Sequence, residues 1–237
     1  MTTACERAVT VSQRAGDLLT LLRSRRSVRS LQERPVPEAL LEQVLEAARW
    51  APSPHGRQPW RFVVFSDPER KERLIEGMSA AWEAQLRLDQ QPEETIAMRL
   101  EKSRQRIRQA PILILPCLYL EDLDRYPDAG RQESERIMAI QSLGAAVQNM
   151  LLMAYELGLD TGWMCAPLFC PAVVCEVLDL DRRLHPQALI TLGYAAADPK
   201  RRPRLPLEAL VIRLDPQSQS QGGHERADGP SNGSVER

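Results

Sequence analysis

The sequence has almost no net charge. Its 31 lysine and arginine residues face 32 aspartate and glutamate residues, which leaves a formal net charge of -1 at pH 7. A protein that mainly binds nucleic acid or an anionic membrane needs an uncompensated basic surface. The balance argues against both partners, and a small molecule is the expected ligand.

The sequence also lacks a secretion signal and a long apolar run. The N-terminal segment MTTACERAVTVSQRAG has no apolar core of the signal-peptide type. No other stretch approaches the roughly 18 apolar residues that a transmembrane helix needs. The five cysteines are an odd number in a chain of 237 residues, which is long enough to bury a core without disulfides. These features predict a cytoplasmic protein with free thiols.

Glycine-dependent phosphate motifs are absent as well. Neither G-x-G-x-x-G nor G-x-x-x-x-G-K-[ST] occurs, so side chains must hold any phosphate. Two basic clusters offer such side chains, namely RSRRSVR at residues 23–29 and KRRPRLP at residues 200–206. Arginine forks and serine hydroxyls match phosphate oxygens. Each cluster alone is also typical of a solvated surface, but two of them in a neutral chain favour an anionic ligand.

Histidine is scarce, and the cysteines are not spaced as metal ligands. Cys165, Cys170 and Cys175 recur every five residues, whereas zinc and iron–sulfur sites usually show a C-x₂₋₄-C pair. We therefore expect no metal and interpret these cysteines as buried thiols. A cysteine nucleophile paired with His55 is the alternative, and no motif supports it.

What is present is an alternation of helical and extended patterns. One helix stops before Pro52 because the residue before a proline is pushed out of helical geometry. Asp67 and Pro68 are typical of an N-cap and first helical position. Strands are predicted at residues 61–65, 112–120, 160–164 and 187–194. Helices are predicted at about residues 17–23, 38–51, 67–86, 93–109, 133–157 and 171–178. The pattern predicts a sheet between helical layers.

The helix predicted from Glu133 to Leu157 is apolar nearly all round between Leu143 and Tyr155. Such a helix is typical of a buried position or of a dimer interface. One of its faces carries small residues and two amides, at Gln141, Gly144, Ala145 and Gln148. That face can contact a planar ligand or a partner helix, and close packing inside the chain is the alternative.

Four segments together resemble a known family. RRSVR, APSPHGRQPWRFVVF, QSLGAAVQNMLLMAYELGLDTGWM and LGY followed by RPRLPLEALV are similar, in order and spacing, to the nitroreductase family of FMN-dependent oxidoreductases. The resemblance implies an α+β, three-layer fold with a central mixed sheet flanked by helices, and an intertwined homodimer that binds FMN. Residues 1–215 would form one FMN-binding domain, and the polar tail at 216–237 is expected to be disordered.

The resemblance also implies cofactor-binding residues. Backbone atoms of Ala166, Pro167 and Leu168 would lie near flavin N5, where a hydrogen bond assists hydride transfer. The flavin itself would carry the chemistry, so no catalytic side chain is expected. The other expected cofactor contacts are Arg25, Arg26, Ser27 and Arg29, Arg202 and Arg204, Gln58, and Gln141 of the partner subunit.

The expected substrate side departs from the family pattern. The family often has asparagine where this chain has Gly56. A side-chain contact to the flavin edge is therefore lost or replaced by His55 or Arg57. Together with Tyr126, these two residues are the substrate-side candidates.

The expected activity is electron transfer from NAD(P)H, or from reduced flavin, through FMN to an organic acceptor. DRYPDAGRQESERIM and TGWMCAPLFCP are similar to the reductase domain of coenzyme F-420 biosynthesis proteins, which implies a dehydro precursor of that coenzyme as a narrower acceptor. Two alternatives remain open: oxygen-dependent breakdown of FMN to dimethylbenzimidazole, and a non-catalytic flavin or deazaflavin binder.

Overall fold

The computed structural model describes residues 16–197, 199 and 203–214. They belong to two compact units, one up to Lys200 and one from Arg201 onward. The strands of the first unit are β1 Leu31–Gln32, β2 Trp60–Phe65, β3 Ile112–Tyr119, β4 Asp160–Met164, β5 Leu184–Pro186 and β6 Leu189–Ala195. Its helices are α1 (residues 16–24), α2 Glu38–Arg49, α3 Pro68–Leu88, α4 Glu93–Gln109, α5 Ala129–Glu156 and α6 Pro171–Val177.

The six strands form one sheet with β3 and β6 at its centre. The order β1-β6-β3-β2 is extended by β4, which pairs with β6, and by β5, which pairs with β3. Every pair of named strands is antiparallel. In the described chain the one parallel link is an isolated bridge between Ser27 and Thr161. The α+β class is confirmed, and the sheet is mixed only through that bridge.

Side-chain alternation along β3 creates the three layers. Ile112, Ile114 and Leu118 belong to the core shared with α2 and α5. Leu113 and Leu115 belong to the core shared with α3, α4 and α6. Successive residues of a strand point to opposite faces, so this one apolar strand supplies both cores. The predicted arrangement of a sheet between helices is confirmed.

Pro116 is tolerated inside β3 because the position of its missing N–H lies between the two strands, β6 and β5, that pair with this edge. On one edge of β3, β6 pairs with residues up to Ile114, and β5 pairs from Cys117 onward. A proline in a central strand would otherwise remove a ladder hydrogen bond. Pro116 therefore marks the point at which β3 changes its pairing from β6 to β5.

Side-chain caps set the starts of the two longest helices. Asp67 accepts a hydrogen bond from the backbone N–H of Arg70 at 2.8 Å, as predicted for the start of α3. Asp128 accepts from the N–H of Arg131 at 2.9 Å, so α5 begins at Ala129 and not at the predicted Glu133. Gly158 ends α5 with a φ of 74°, in the left-handed region that favours glycine.

Helix α5 is the core helix, and it has an apolar face left exposed. Its buried residues extend from Glu135 to Ala154, while Ile137 and Ile140 remain 44% and 36% exposed. Contrary to expectation, α5 is long and apolar enough to cross a membrane by length and composition alone. The core helix of a globular protein meets the same criterion, and the packing of α5 on the sheet accounts for its apolar character.

The described part of the second unit is short. Residues 203–214 contain a 3-10 helix at Leu207–Ala209. Leu205, Leu207, Ile212 and Leu214 are well exposed. The tail predicted to be disordered, residues 216–237, lies outside the described residues.

Candidate functional site

The RRSVR segment is held against the edge of β4. The N–H of Val28 donates to the carbonyl oxygen of Thr161 at 2.8 Å, and Ser27 forms the parallel bridge with the same residue. Val28 and Thr161 are both only 2% exposed. Backbone contacts therefore fix the position of this segment.

Gly162 makes this close contact possible. A Cβ atom at this position would lie 2.6 Å from the carbonyl oxygen of Val28 and 2.7 Å from Oγ1 of Thr191. The same Thr191 oxygen accepts a hydrogen bond from the N–H of Gly162 at 3.1 Å. Since real Cβ atoms essentially never come so near, the segment can dock only against glycine.

The docked segment presents alternate residues to opposite sides. Val28 is buried on one side, whereas Ser27 and Arg29 are exposed. Arg26 lines a separate cavity of about 390 Å³ together with Tyr155 and Asp160. Its Nη1 donates to the carbonyl oxygens of Arg23 and Ser24. The structure thus separates Arg26 from the face that carries Ser27 and Arg29.

Strand β4 leads directly into a 3-10 helix at Ala166–Phe169. Within this turn the N–H of Leu168 donates to the carbonyl oxygen of Cys165 at 3.1 Å, and Pro167 has no N–H to donate. The N–H of Ala166 is at the first helical position, where no acceptor exists within the helix. Of the three predicted backbone positions, Ala166 therefore has the available donor.

A cavity of about 470 Å³ lies between this turn and helices α3 and α4. We call it the α3 groove. Its walls are mostly apolar, with Arg106 as its one cationic residue. The lining residues are Ile75, Met78, Ser79, Ala81, Trp82, Gln85, Asp89, Ser103, Arg106, Ile107, Met164, Cys165, Ala166, Phe169 and Cys170.

Arg106 lines this groove, and the positive charge of Arg29 acts on it. Burial lowers the pKa of Arg106, and the positive charge of Arg29 lowers it further. Within the described residues neither guanidinium has a hydrogen bond or an ion pair. Two interacting cations without a carboxylate partner favour an anionic or electronegative group nearby.

Comparisons with known proteins identify the family of this chain. Residues 22–194 match the nitroreductase family. The chain belongs to the nitroreductase family. A Thermus thermophilus protein named NADH dehydrogenase is 32% identical over 83% of this chain and 95% of its own. A nitroreductase structure in complex with FMN from Desulfovibrio desulfuricans is 29% identical, with a TM-score of 0.65 over 83% of this chain and 96% of its own.

A third structure has the same fold. The BluB-like flavoprotein of Clostridium difficile gives a TM-score of 0.67 at 22% identity, over 84% of this chain and 99% of its own. At this identity the likeness extends to the fold alone. Membership of this family makes the chain an FMN-dependent oxidoreductase.

The loop APSPHGRQPW is held by its own side chains. Gln58 has a φ of 49°, its backbone N–H donates to Oγ of Ser53 at 3.0 Å, and its Nε2 donates to the carbonyl oxygen of Arg49 at 3.0 Å. Arg57 donates to the carbonyl oxygen of Asp122 at 2.8 Å and pairs with Asp124 at 2.6 Å. Gln58 thus caps the end of α2, and Arg57 fastens the loop.

The other predicted substrate-side residues show no convergence on the α3 groove. His55 is in the left-handed region with a φ of 53° and is exposed. The ring of Tyr126 lies under the guanidinium of Arg131 at 5.1 Å. Neither residue lines the groove.

The two halves of the predicted site lie apart within one chain. Strands β2 and β4 are separated by β3 and β6, which amounts to three inter-strand spacings or about 14 Å. Gln58 precedes β2, whereas Ala166 follows β4. Gln141 is exposed on α5 beside Ile140. One chain alone therefore does not bring Gln58 and Gln141 to the turn at Ala166.

The remaining predictions divide between the two units. Arg25 follows α1, and its N–H donates to the carbonyl oxygen of Leu21 at 3.1 Å. Arg204 belongs to the second unit, and Arg202 lies outside the described residues. The cofactor roles of these arginines stay predictions.

The cysteines only partly match their interpretation as buried thiols. Cys165 is exposed, and Cys170 and Cys175 are half-buried, so the interpretation is wrong for Cys165. Cys165 and Cys170 both line the α3 groove. Cys117 is the buried thiol, and its burial raises its pKa to about 12.

Sequence reasoning missed Arg106 altogether. This residue lies in α4, for which the sequence predicted a helix and no site residue. The available signal was the position of Arg106 directly before the buried Ile107, which places a charge at the border of the core. Only the packing of α4 near the RRSVR segment brings it to the groove.

Proposed function

We propose that this protein is a homodimeric, FMN-dependent oxidoreductase that takes electrons from NAD(P)H and passes them to a small organic acceptor. The observation that carries the proposal is the docking of RRSVR on β4, beside the turn at Ala166 and the α3 groove. Family membership and the FMN-bound relative from Desulfovibrio desulfuricans support it. The relative named NADH dehydrogenase supports the electron donor.

The residues present fit FMN in three respects. Ser27 and Arg29 offer hydroxyl and guanidinium donors for the phosphate and ribityl chain. The inner end of the α3 groove, where Arg106 and Ala166 both line the wall, offers an apolar slot with one cationic side. The N–H of Ala166 has no acceptor within its 3-10 helix. These donors match a ligand with an anionic tail and a flat ring.

Bound FMN supplies hydride acceptance and donation at N5. The chain's own residues supply orientation and charge. The N–H of Ala166 can donate to the ring edge, and the rigid 3-10 turn keeps this donor in place. Arg106 would hold positive charge beside a ring that gains electrons, and its partial burial would strengthen this effect because water screens the charge less.

The second copy of the chain completes the site in this proposal. The exposed apolar residues Ile137 and Ile140 surround Gln141 on α5, and Trp50 at the end of α2 is 74% exposed. A partner that covers this face would bring its Gln58 loop and its Gln141 toward the turn at Ala166. We therefore assign Gln58 and Gln141 to the partner's side of the flavin and Arg25, Ser27 and Arg29 to the chain that supplies Ala166.

The primary test is the chromophore. We expect purified protein to be yellow or to take up FMN, the released compound to have the mass of FMN, and anaerobic NADH or NADPH to bleach it. A colourless protein that takes up no FMN would contradict the proposal. Size-exclusion chromatography with light scattering should give twice the mass of one chain.

Turnover separates the proposal from its alternatives. An oxidoreductase recycles FMN while NAD(P)H is consumed in excess. Oxygen-dependent fragmentation consumes FMN in proportion to the benzimidazole formed. A non-catalytic binder keeps its flavin oxidised with every donor. A dehydro precursor of coenzyme F-420 is the narrower acceptor that the DRYPDAGRQESERIM segment favours, and its reduction should be compared with that of simple quinones and nitroaromatics.

A further inference from the structure

The α3 groove extends beyond its inner end, which is the part lined by Arg106 and Ala166. Its lining residues on α3 follow one helical face, from Ile75 through Met78, Trp82 and Gln85 to Asp89. At a rise of about 1.5 Å per residue this face extends for about 21 Å. The groove therefore has room for a second ring beyond the one that would lie between Arg106 and Ala166.

The two ends of the groove carry opposite charge. Helices α3 and α4 run antiparallel, since Arg104 bonds Ser79 at 3.2 Å and Arg108 bonds Glu72 at 2.6 Å. Arg106 therefore lies near the Ile75 end. Asp89 lies at the other end and is the only ionised side chain among the lining residues there.

The outer end is aromatic and rigid. Trp82 packs against a small core of Leu86, Ile96 and Leu100, so its ring forms a fixed wall. Gln85 donates to the carbonyl oxygen of Phe169 at 3.3 Å and joins α3 to the 3-10 helix. The nearest cation along the chain, Arg87, is paired with two glutamates, at 2.9 and 3.2 Å.

These features disfavour an anion at the outer end. Within the described lining no lysine or arginine accompanies Trp82, Gln85 and Asp89. An anionic group would be partly desolvated there without a counter-charge and would face the Asp89 carboxylate. A cation gains from both the carboxylate and the aromatic faces.

We propose that the outer end of the α3 groove is an acceptor subsite that selects flat aromatic acceptors by charge. Trp82 provides the stacking wall, and Asp89 makes the subsite prefer cationic and neutral rings to anionic ones. The proposal rests on the proposed function, because the acceptor must lie beside bound FMN. It adds two specificity-determining residues and a charge rule for the acceptor.

The test uses three nitroaromatics that differ in charge: 4-nitrobenzyltrimethylammonium, 4-nitrobenzyl alcohol and 4-nitrobenzoate. Steady-state reduction with NADH gives kcat and KM for each on the holoenzyme. Comparing each variant with wild type for the same compound cancels the compound's intrinsic reactivity. We expect Asp89→Asn to raise KM for the cation and lower it for the anion, each about two- to threefold, with kcat little changed.

Substitutions of Trp82 test the stacking wall, and a substitution of Glu76 serves as the control. Trp82→Ala should raise KM for all three compounds about three- to tenfold, and Trp82→Phe should restore most of the loss. Glu76→Gln removes a negative charge from an exposed position of α3 that does not line the groove. It should leave the three KM values and their order unchanged.

The outcomes separate this proposal from the proposed function. Absence of FMN uptake or of NADH oxidation contradicts the proposed function. Normal FMN content and NADH oxidation, with KM values for the cation and the anion in Asp89→Asn that equal those of wild type, overturn the subsite. Calorimetric titration of the same compounds into wild type and Asp89→Asn measures the charge preference without turnover, and equal affinities in the two proteins would also overturn it.

Discussion

The edge of β4 and the loop at residues 51–60 were both expected to bind the cofactor, yet they are built in opposite ways. At β4, backbone atoms and a glycine hold the RRSVR segment, so Ser27 and Arg29 have no other described partner. In the loop, the side chains of Gln58 and Arg57 hold the loop itself. A motif residue is therefore a strong ligand candidate only where backbone contacts hold its segment in place and leave its side chain available.

The largest effect should come from Gly162→Ala. The added Cβ would lie 2.6 Å from the Val28 carbonyl oxygen, so the RRSVR segment must shift. We expect a loss of about 1–3 kcal/mol in the free energy of unfolding and at least a tenfold weaker FMN affinity, measured by urea unfolding and by fluorescence titration. Gly130→Ala is the control, because its Cβ would meet only an ordinary contact at 3.5 Å. Wild-type FMN affinity in Gly162→Ala would refute the role of the docking.

The phosphate assignment is tested by Arg25→Ala combined with Arg204→Ala. Each substitution would remove a charge-assisted hydrogen bond to the phosphate, which weakens FMN binding by about tenfold or more per residue. The expected result is protein that remains folded, as checked by circular dichroism, and that contains no FMN. Full FMN occupancy in the double variant would contradict the assignment.

Arg106→Gln should change the redox balance more than the binding. Removing a cation beside the flavin slot disfavours added negative charge by about 1–2 kcal/mol, which lowers the two-electron midpoint potential by about 20–40 mV. Arg99→Gln, an exposed position on the same helix, is the charge-matched control. Equal midpoint potentials for Arg106→Gln and wild type would contradict the proposed position of Arg106 beside the flavin.

Arg57→Ala should weaken the loop without touching the β4 edge. The pair with Asp124 is partly exposed, at 30% and 38% for the two side chains, so its loss should cost about 1 kcal/mol or less of unfolding free energy. FMN affinity should stay within about twofold of wild type. A tenfold loss of FMN affinity in Arg57→Ala would show that Arg57 takes part in binding.

The smallest effect concerns pH and lies away from both regions. Lys71 is buried, its Nζ donates to the carbonyl oxygen of Ala110 at 2.6 Å, and burial lowers its pKa. Because the unfolded state then binds more protons just below the ordinary lysine pKa, the free energy of unfolding should rise with pH in that alkaline window. Lys71→Met should remove this rise, as measured by urea unfolding at several pH values.

Much of the fold followed from local patterns. The Asp67-Pro68 cap, the end of α2 before Pro52, and the apolar run of β3 each depend on a few neighbouring residues, and all three were predicted. The start of α5 was missed because its Asp128 cap lies in a polar loop without apolar periodicity. Strands β1 and β5, of two and three residues, are too short for a pattern and exist only through their partners.

The sequence by itself determined the helices and long strands, the α+β class, and the arginine and serine residues available for an anion. Those depend on spacing along the chain and on side-chain chemistry. Only the tertiary structure decided that Gly162 seats the RRSVR segment, that Arg106 joins Arg29, and that Gln58 and Arg57 hold their own loop. These outcomes depend on contacts between residues 28 and 162 or 57 and 124, and on the charge interaction between residues 29 and 106; the packing of the chain sets all three.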